Sequence, residues 1–253
     1  MKLSAKIRFA VWGVVAAIPA IAQAQATNIS GALWKVEQVC LAADAATGLP
    51  FPCLKVDAAA GYAVLRPPYG KADTILVPTV KISGLEAPGL QSPSAPNYFE
   101  LAWQARTFLA DKTSRKLAHD EVALAVNSSL SRSQNQLHVH LDCIARDMQM
   151  ALRTLEPDLP ATGWTRLAKP LRHLDYWALR LPQPTLAGVN PFALVARGVP
   201  DARAGMAEMT IAIAGTLSKS GAKGFVLLAA RTGRHVGRAL PTGEDLLEHE
   251  CRV

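Results

Sequence analysis

The chain has 253 residues, half of them hydrophobic and 19% charged, a folded-protein composition that excludes disorder. The formal charge of +7 includes Lys2, Lys6 and Arg8; without these, 24 basic residues face 20 acidic ones, a balance of +4. That balance suits an anionic lipid or polyanionic substrate, and with no Lys/Arg-rich run interleaved with aromatics it excludes nucleic acid as a partner.

Residues 1–26 have the parts of a secretory leader. Lys2, Lys6 and Arg8 precede an apolar stretch from Phe9 to Ala22, and Ala22-Gln23-Ala24 or Ala24-Gln25-Ala26 offers a small-x-small cleavage pattern. The stretch carries Pro19 and is short of the roughly 20 residues a membrane span needs. A cleaved signal peptide is expected, with a retained membrane anchor as the alternative. Either places the body outside the cytoplasm.

Downstream, residues 61–66 (GYAVLR) read as a strand and Gly70-Lys71 as a turn. Residues 74–82 (TILVPTVKI) form a second strand, which Pro78 marks as irregular or at an edge. The proline-rich stretch 87–96 is a loop. Asn97 caps a predicted helix to about Ala110, with Leu101, Ala105, Phe108 and Leu109 on one stripe. Strands follow at 121–126 (EVALAV) and 136–144 (QLHVHLDCI), and then a helix over 145–155.

The second half reads as a faint repeat of this order. YWALRL (176–181) answers GYAVLR and PFALVAR (191–197) answers TILVPTVKI. A helix carrying Met206, Met209, Ile213 and Leu217 answers that at 97–110. GFVLLAA (224–230) answers EVALAV, and LLEHEC (246–251) answers HVHLDC. The expected class is α+β, with a catalytic half at 27–158 and a degenerate second half at 159–253.

Four cysteines, Cys40, Cys53, Cys143 and Cys251, all lie beyond the leader, and four cysteines allow three pairings. Cys40–Cys53 is favoured because it closes a small loop through Gly48, Pro50 and Pro52. Cys143–Cys251 would then tie the chain end to the residue just past the histidines. No Cys-x-x-Cys pattern points to a zinc ribbon.

The chemistry concentrates in NSSLSRSQNQLHVHLDC, residues 127–143. On a strand, His138, His140 and Asp142 face one way, while Leu137, Val139, Leu141 and Cys143 face the other. Two imidazoles and a carboxylate can then stand over a cleft. A neutral imidazole is a competent nucleophile toward phosphorus, and its phosphoramidate yields to water. Asn127, Arg132, Ser133, Gln134 and Asn135 offer donors for phosphate oxygens.

The run Asn127-x6-Gln134-x3-His138-x-His140 resembles the signature of the histidine triad (HIT) nucleotide hydrolases and transferases. VPTVKI resembles that superfamily's strand ending in Pro-x-x-His-Ile, with Lys81 in place of the histidine. Together with VPTVKISGLEAP and NYFELAWQAR, the run resembles the CDP-diacylglycerol diphosphatase (pyrophosphatase) family, over residues 34–155. The resemblance implies a HIT-like antiparallel sheet with packed helices. It implies His140 as nucleophile, His138 as its orienting neighbour, and Asn127, Ser133, Gln134 and Asn135 as phosphate and ribose contacts. The third triad position, normally His or Gln, is Asp142, a carboxylate that needs a proton or a partner such as His138 or Arg146. A second register, Gln136, His138 and His140, would make His138 the nucleophile.

The implied reaction is attack of His140 on the cytidylyl phosphorus of CDP-diacylglycerol, expulsion of phosphatidate, and hydrolysis of the CMP–histidine. No metal and no cofactor is expected. The expected setting is periplasmic, at the bacterial inner-membrane surface, with no protein partner identifiable. Two other readings use the same residues. His-x-His-x-Asp also opens a zinc-hydrolase signature, although Cys143 stands where that signature has His. The chain could also be an exported nucleotide- or lipid-binding protein without turnover. Other histidines read as incidental: His119, His173 and His235 at the surface, and His249 as a relic of the repeat.

Overall fold

Apolar runs that alternate along the chain pair edge to edge in a computed structural model that describes residues 30–67, 74–113, 115–233, 240–249 and 251. The expected leader, the turn at Gly70-Lys71 and His235 lie outside the described residues. In chain order the elements are α1 (Ala32–Thr47), β1 (Lys55–Asp57), β2 (Tyr62–Leu65), β3 (Thr74–Pro78), α2 (Tyr98–Gln104) and α3 (Thr107–Thr113). β4 (Val122–Val126), β5 (Val139–Ile144), α4 (Arg146–Leu155), β6 (Thr165–Arg166) and β7 (Trp177–Leu181) follow. Last come α5 (Pro191–Gly198), β8 (Met209–Leu217), β9 (Lys223–Arg231) and β10 (Leu247–Glu248). The class is α+β, as expected.

One ten-stranded sheet runs β1-β2-β3-β5-β4-β8-β9-β7-β6, with β10 off this path on β5. Every pairing is antiparallel. β5 is the hub. One edge pairs with β4 (His140 opposite Ala125, Asp142 opposite Ala123). The other edge is divided: β3 takes residues 139–141, with His140 opposite Ile75, and β10 takes Cys143 and Ile144. The chain's last strand therefore lies beside the histidine strand.

The two faces of the sheet are packed differently. On one, Val139 and Leu141 join Leu76, Leu124 and Val126 beneath Phe99 and Trp103 of α2 and Phe192 of α5. Side chains of this size contribute roughly 1.5–3 kcal/mol each when fully buried. The opposite face carries two separate clusters. Leu33 and Cys40 of α1 cover Leu65, Ile75 and Val77. Farther along, Leu152 of α4 with Leu246 and Leu247 covers Ala123, Ala125 and Ile144. By strand alternation His140 and Asp142 emerge on this face, between the two clusters.

Both favoured disulfides are present, Cys40–Cys53 and Cys143–Cys251, at sequence separations of 13 and 108. Loop-closure entropy gives about 3 kcal/mol for a short loop and somewhat under 5 kcal/mol for one near 100 residues. Among the described residues no helix is long and apolar enough to cross a membrane.

Several expectations need correction. α1 lies in a stretch to which the sequence reading assigned no element, and it buries Leu33, Glu37 and Cys40. The helix expected over 97–110 keeps its Asn97 cap, whose Oδ1 accepts from the Glu100 N–H, but breaks at Ala105 into α2 and α3. PFALVAR is helix α5: Asn190 Oδ1 accepts from the Ala193 N–H, and Pro191 sits where its missing N–H costs nothing. The expected helix through Met206 and Leu217 is a 3-10 turn (Arg203–Glu208) followed by β8, in which Thr210, Ile211 and Ile213 favour the extended chain. LLEHEC contributes only the two residues of β10. His119 is half-buried between Trp103 and Phe225 and bonds the Gly224 carbonyl at 2.8 Å.

Candidate active site

Against the α1 cluster, His140 lines a cavity of about 470 Å³. Its polar end holds Asn127, Ser131, Ser133, Gln134, His138, His140 and Glu244; its apolar wall is Ala32, Leu33, Val36, Leu65, Pro67 and Ile75. The volume lies within the range that takes small organic ligands. β5 supplies His140, the residue before it supplies the ring of His138, and the loop after β4 supplies the amides and hydroxyls.

His138 is held by its own backbone. Its Nδ1 lies 2.7 Å from the Gln136 carbonyl. A carbonyl only accepts, so Nδ1 carries the proton and the neutral ring keeps its lone pair on Nε2. Burial, reinforced by neighbouring His140, pushes the His138 pKa down to about 4, so the ring is neutral at pH 7. The two imidazoles meet edge to face, with centroids 4.8 Å apart.

His140 faces a carboxylate that sequence reading missed. Its Nε2 lies 3.3 Å from Glu244 Oε2, and the Asn127 side-chain amide donates to that same oxygen at 2.7 Å. Glu244 sits on the 3-10 turn Gly243–Leu246 just before β10. Thr242 caps the turn by accepting from the Asp245 N–H, and the Gly243 N–H donates to Thr210 Oγ1 at 2.9 Å. Only glycine fits that approach, because a Cβ at Gly243 would stand 2.6 Å from Thr210 Oγ1. Behind Glu244, His249 Nε2 lies 3.9 Å from its Oε1, and His249 Nδ1 lies 3.6 Å from Asp142 Oδ2.

Asp142 is therefore not a cavity residue. It is buried, its Oδ1 accepts the Cys143 N–H at 2.8 Å, and His249 Nδ1 lies 3.6 Å from its Oδ2. Neither His138 nor the exposed Arg146 plays the partner role foreseen for them. Cys251 Sγ also lies 3.2 Å from Asp142 Oδ1, a packing contact only, since a disulfide sulfur has no proton to donate.

The donor loop divides. Asn127, Ser133 and Gln134 line the cavity, joined by Ser131. Gln134 Oε1 also accepts the Leu33 N–H at 3.0 Å, which fixes the start of α1 against the site. Arg132 is turned away, bonding both Glu86 oxygens at 2.6 and 2.7 Å, and its Nε donates to Asn135 Oδ1. Arg132, Asn135, Lys81 and Asp142 do not line the cavity, and Lys81 is exposed.

Gln136, the first position of the alternative register, braces the site from behind. Its Nε2 donates to the Pro78 and Val80 carbonyls, each at 3.0 Å, and its Oε1 accepts the Ile82 N–H. Glu37 of α1 lies against the same amide, Nε2 to Oε2 3.3 Å, and burial raises its pKa to about 8.

A zinc site needs converging ligands. Among the described residues, the converging set of three is Asp142, Cys143 and Cys251, and its sulfurs are joined in a disulfide. His138, His140 and Asp142 do not form such a set, so the residues present do not fit the zinc-hydrolase pattern.

The family model described as CDP-diacylglycerol pyrophosphatase matches residues 28–253. A CDP-diacylglycerol pyrophosphatase of Yersinia pestis is 35% identical over 223 residues, covering 88% of this chain and 84% of that protein. Because the family match runs through every element that builds the cavity, from α1 to the Glu244 turn, the chain belongs to the CDP-diacylglycerol pyrophosphatase family.

Proposed function

We propose that this chain hydrolyses the phosphoanhydride bond of CDP-diacylglycerol to CMP and phosphatidate through a nucleotidyl-histidine on His140. The observation that carries the reading is the pair His140 and Glu244, imidazole nitrogen and carboxylate 3.3 Å apart in one cavity. A nucleophile needs a proton acceptor within reach, and this one has it. Neutral His138 packs against the attacking ring without competing for phosphate as a cation. Asn127, Ser131, Ser133 and Gln134 offer the donors that an anionic diphosphate requires. The test is turnover of CDP-diacylglycerol by purified protein and by His140→Ala. CMP release by the first and not the second supports the reading, and binding without turnover by the first supports a binding protein instead.

One observation favours His138 as the attacking group. Its Nδ1 is already tied to the Gln136 carbonyl, so a bare Nε2 is available without any base. The motif spacing that aligns Asn127 and Gln134 favours His140, and both of those residues do line the cavity.

We further propose a HIT-like fold of two related halves. The support is connectivity: β3-α2-β4-β5 pairs in the order β3-β5-β4, and β7-α5-β8-β9 pairs as β7-β9-β8, the halves meeting at β4 and β8. In this register YWALRL answers TILVP and GFVLLAA answers the histidine strand. The apolar leader pattern and two disulfides support an exported protein working in the periplasm at the inner-membrane surface.

A further inference from the structure

Glu244 is the one carboxylate among the described residues that line the cavity, and it comes from a segment far from the histidine motif. Its Oε2 touches the reacting nitrogen of His140 and the amide of Asn127, and its Oε1 faces His249. Of the other cavity residues, Asn127, Ser131, Ser133 and Gln134 are not bases; His138 keeps a bare Nε2, but Glu244 is the group that stands at His140 Nε2 and meets Asn127 there.

We infer that Glu244 is a further catalytic residue, the proton shuttle for both steps at His140; this rests on the nucleotidyl-histidine reading. As the diphosphate enters, His140, resting as an imidazolium paired with Glu244, passes its Nε2 proton to the carboxylate and becomes a neutral ring that keeps its proton on Nδ1. That transfer frees the nitrogen lone pair and neutralises a carboxylate that would repel the substrate. The Nε2–P bond forms, the P–O bond to phosphatidate breaks, and phosphatidate leaves with the electron pair and the proton from Glu244. A water molecule then attacks phosphorus. Its proton goes to Glu244, the O–P bond forms, and the Nε2–P bond breaks with its electron pair returning to nitrogen. CMP departs, and the proton on Glu244 returns to Nε2. His249 and Asp142 stand behind the shuttle as its buttress.

Rapid-quench kinetics on the full-length protein, with CDP-diacylglycerol radiolabelled in the cytidylyl phosphate, tests this. Glu244→Gln keeps an oxygen for Asn127 but cannot take a proton. Because attack and hydrolysis both use the shuttle, labelling of the protein should slow along with turnover, and kcat should fall roughly 10²–10³-fold. A melting curve like that of wild type shows that the variant is folded. Glu244→Ala should recover part of its rate with added formate, which a structural role would not produce. If Glu244→Gln becomes labelled as fast as wild type, or turns over within about threefold of it, the inference falls and the histidine reading stands. If neither protein is labelled while CMP is produced, the histidine reading falls and takes this inference with it.

Discussion

His140 Nε2 and Glu244 Oε2 lie 3.3 Å apart, although one stands on β5 and the other on the turn before the last strand. The disulfide from Cys143 to Cys251 and the pairing of β10 with β5 hold these segments together. Loss of that clasp should reach the chemistry. Replacing Cys143 and Cys251 with serine should lower stability by up to about 5 kcal/mol and kcat at least tenfold. Replacing Cys40 and Cys53 with serine should lower stability by about 3 kcal/mol with a smaller effect on kcat. Denaturant unfolding and CMP release on the two double variants measure both.

Gly243 sets the height of Glu244 over the sheet. In Gly243→Ala, the new methyl meets Thr210 Oγ1 at 2.6 Å, so turn and strand must part. A cost of about 1–3 kcal/mol is expected, as for other overpacked sites. The expected kinetic signature is a kcat loss greater than any rise in KM, read from steady-state rates with a melting curve as control.

Glu37 should make stability depend on pH in an unusual direction. Its folded pKa is raised to about 8, from 4.5 for an unperturbed glutamate. Between these values the unfolded chain has lost the proton that the folded chain must keep. Stability from this group is therefore full below about pH 4.5, falls as pH rises, and levels off above about pH 8. Glu37→Gln should flatten that slope, which unfolding free energies measured from pH 4 to 9 will register.

His138 titrates the other way. With its pKa lowered to about 4, it stays neutral through the physiological range, and the stability it lends is lost as pH falls from about 6.5 toward 4. An acid limb in kcat/KM between pH 5 and 8 therefore belongs to another group. That limb should persist in His138→Asn, and an NMR titration of the His138 ring should show no protonation above about pH 5.

Much of the site was legible because the side-chain period of a strand is two. His138, His140 and the buried Val139 and Leu141 could be sorted to opposite faces from the sequence alone. Both disulfides and the Asn97 cap were also readable, since each rests on local spacing or on few alternatives. Glu244 and His249 were not. Their link to the motif is a long-range pairing, and the only hint was Cys251, whose bond to Cys143 brings the C-terminal segment to β5. Arg132 was read as a phosphate donor because its neighbours are, but Glu86, remote in sequence, already takes both its terminal nitrogens. The second half was misread for a different reason. PFALVAR and the stretch after Met206 are short apolar runs, and there capping by Asn190 and the β-branched content of β8 decide between helix and strand.

The most direct test of the central claim is to trap the enzyme during turnover of CDP-diacylglycerol under alkaline denaturation and map the modified peptide by mass spectrometry. The account predicts a cytidylyl group on the peptide spanning Gln136 to Arg146, localised to His140 and absent from His140→Ala. Turnover with no such adduct, or an adduct localised to His138, would contradict it.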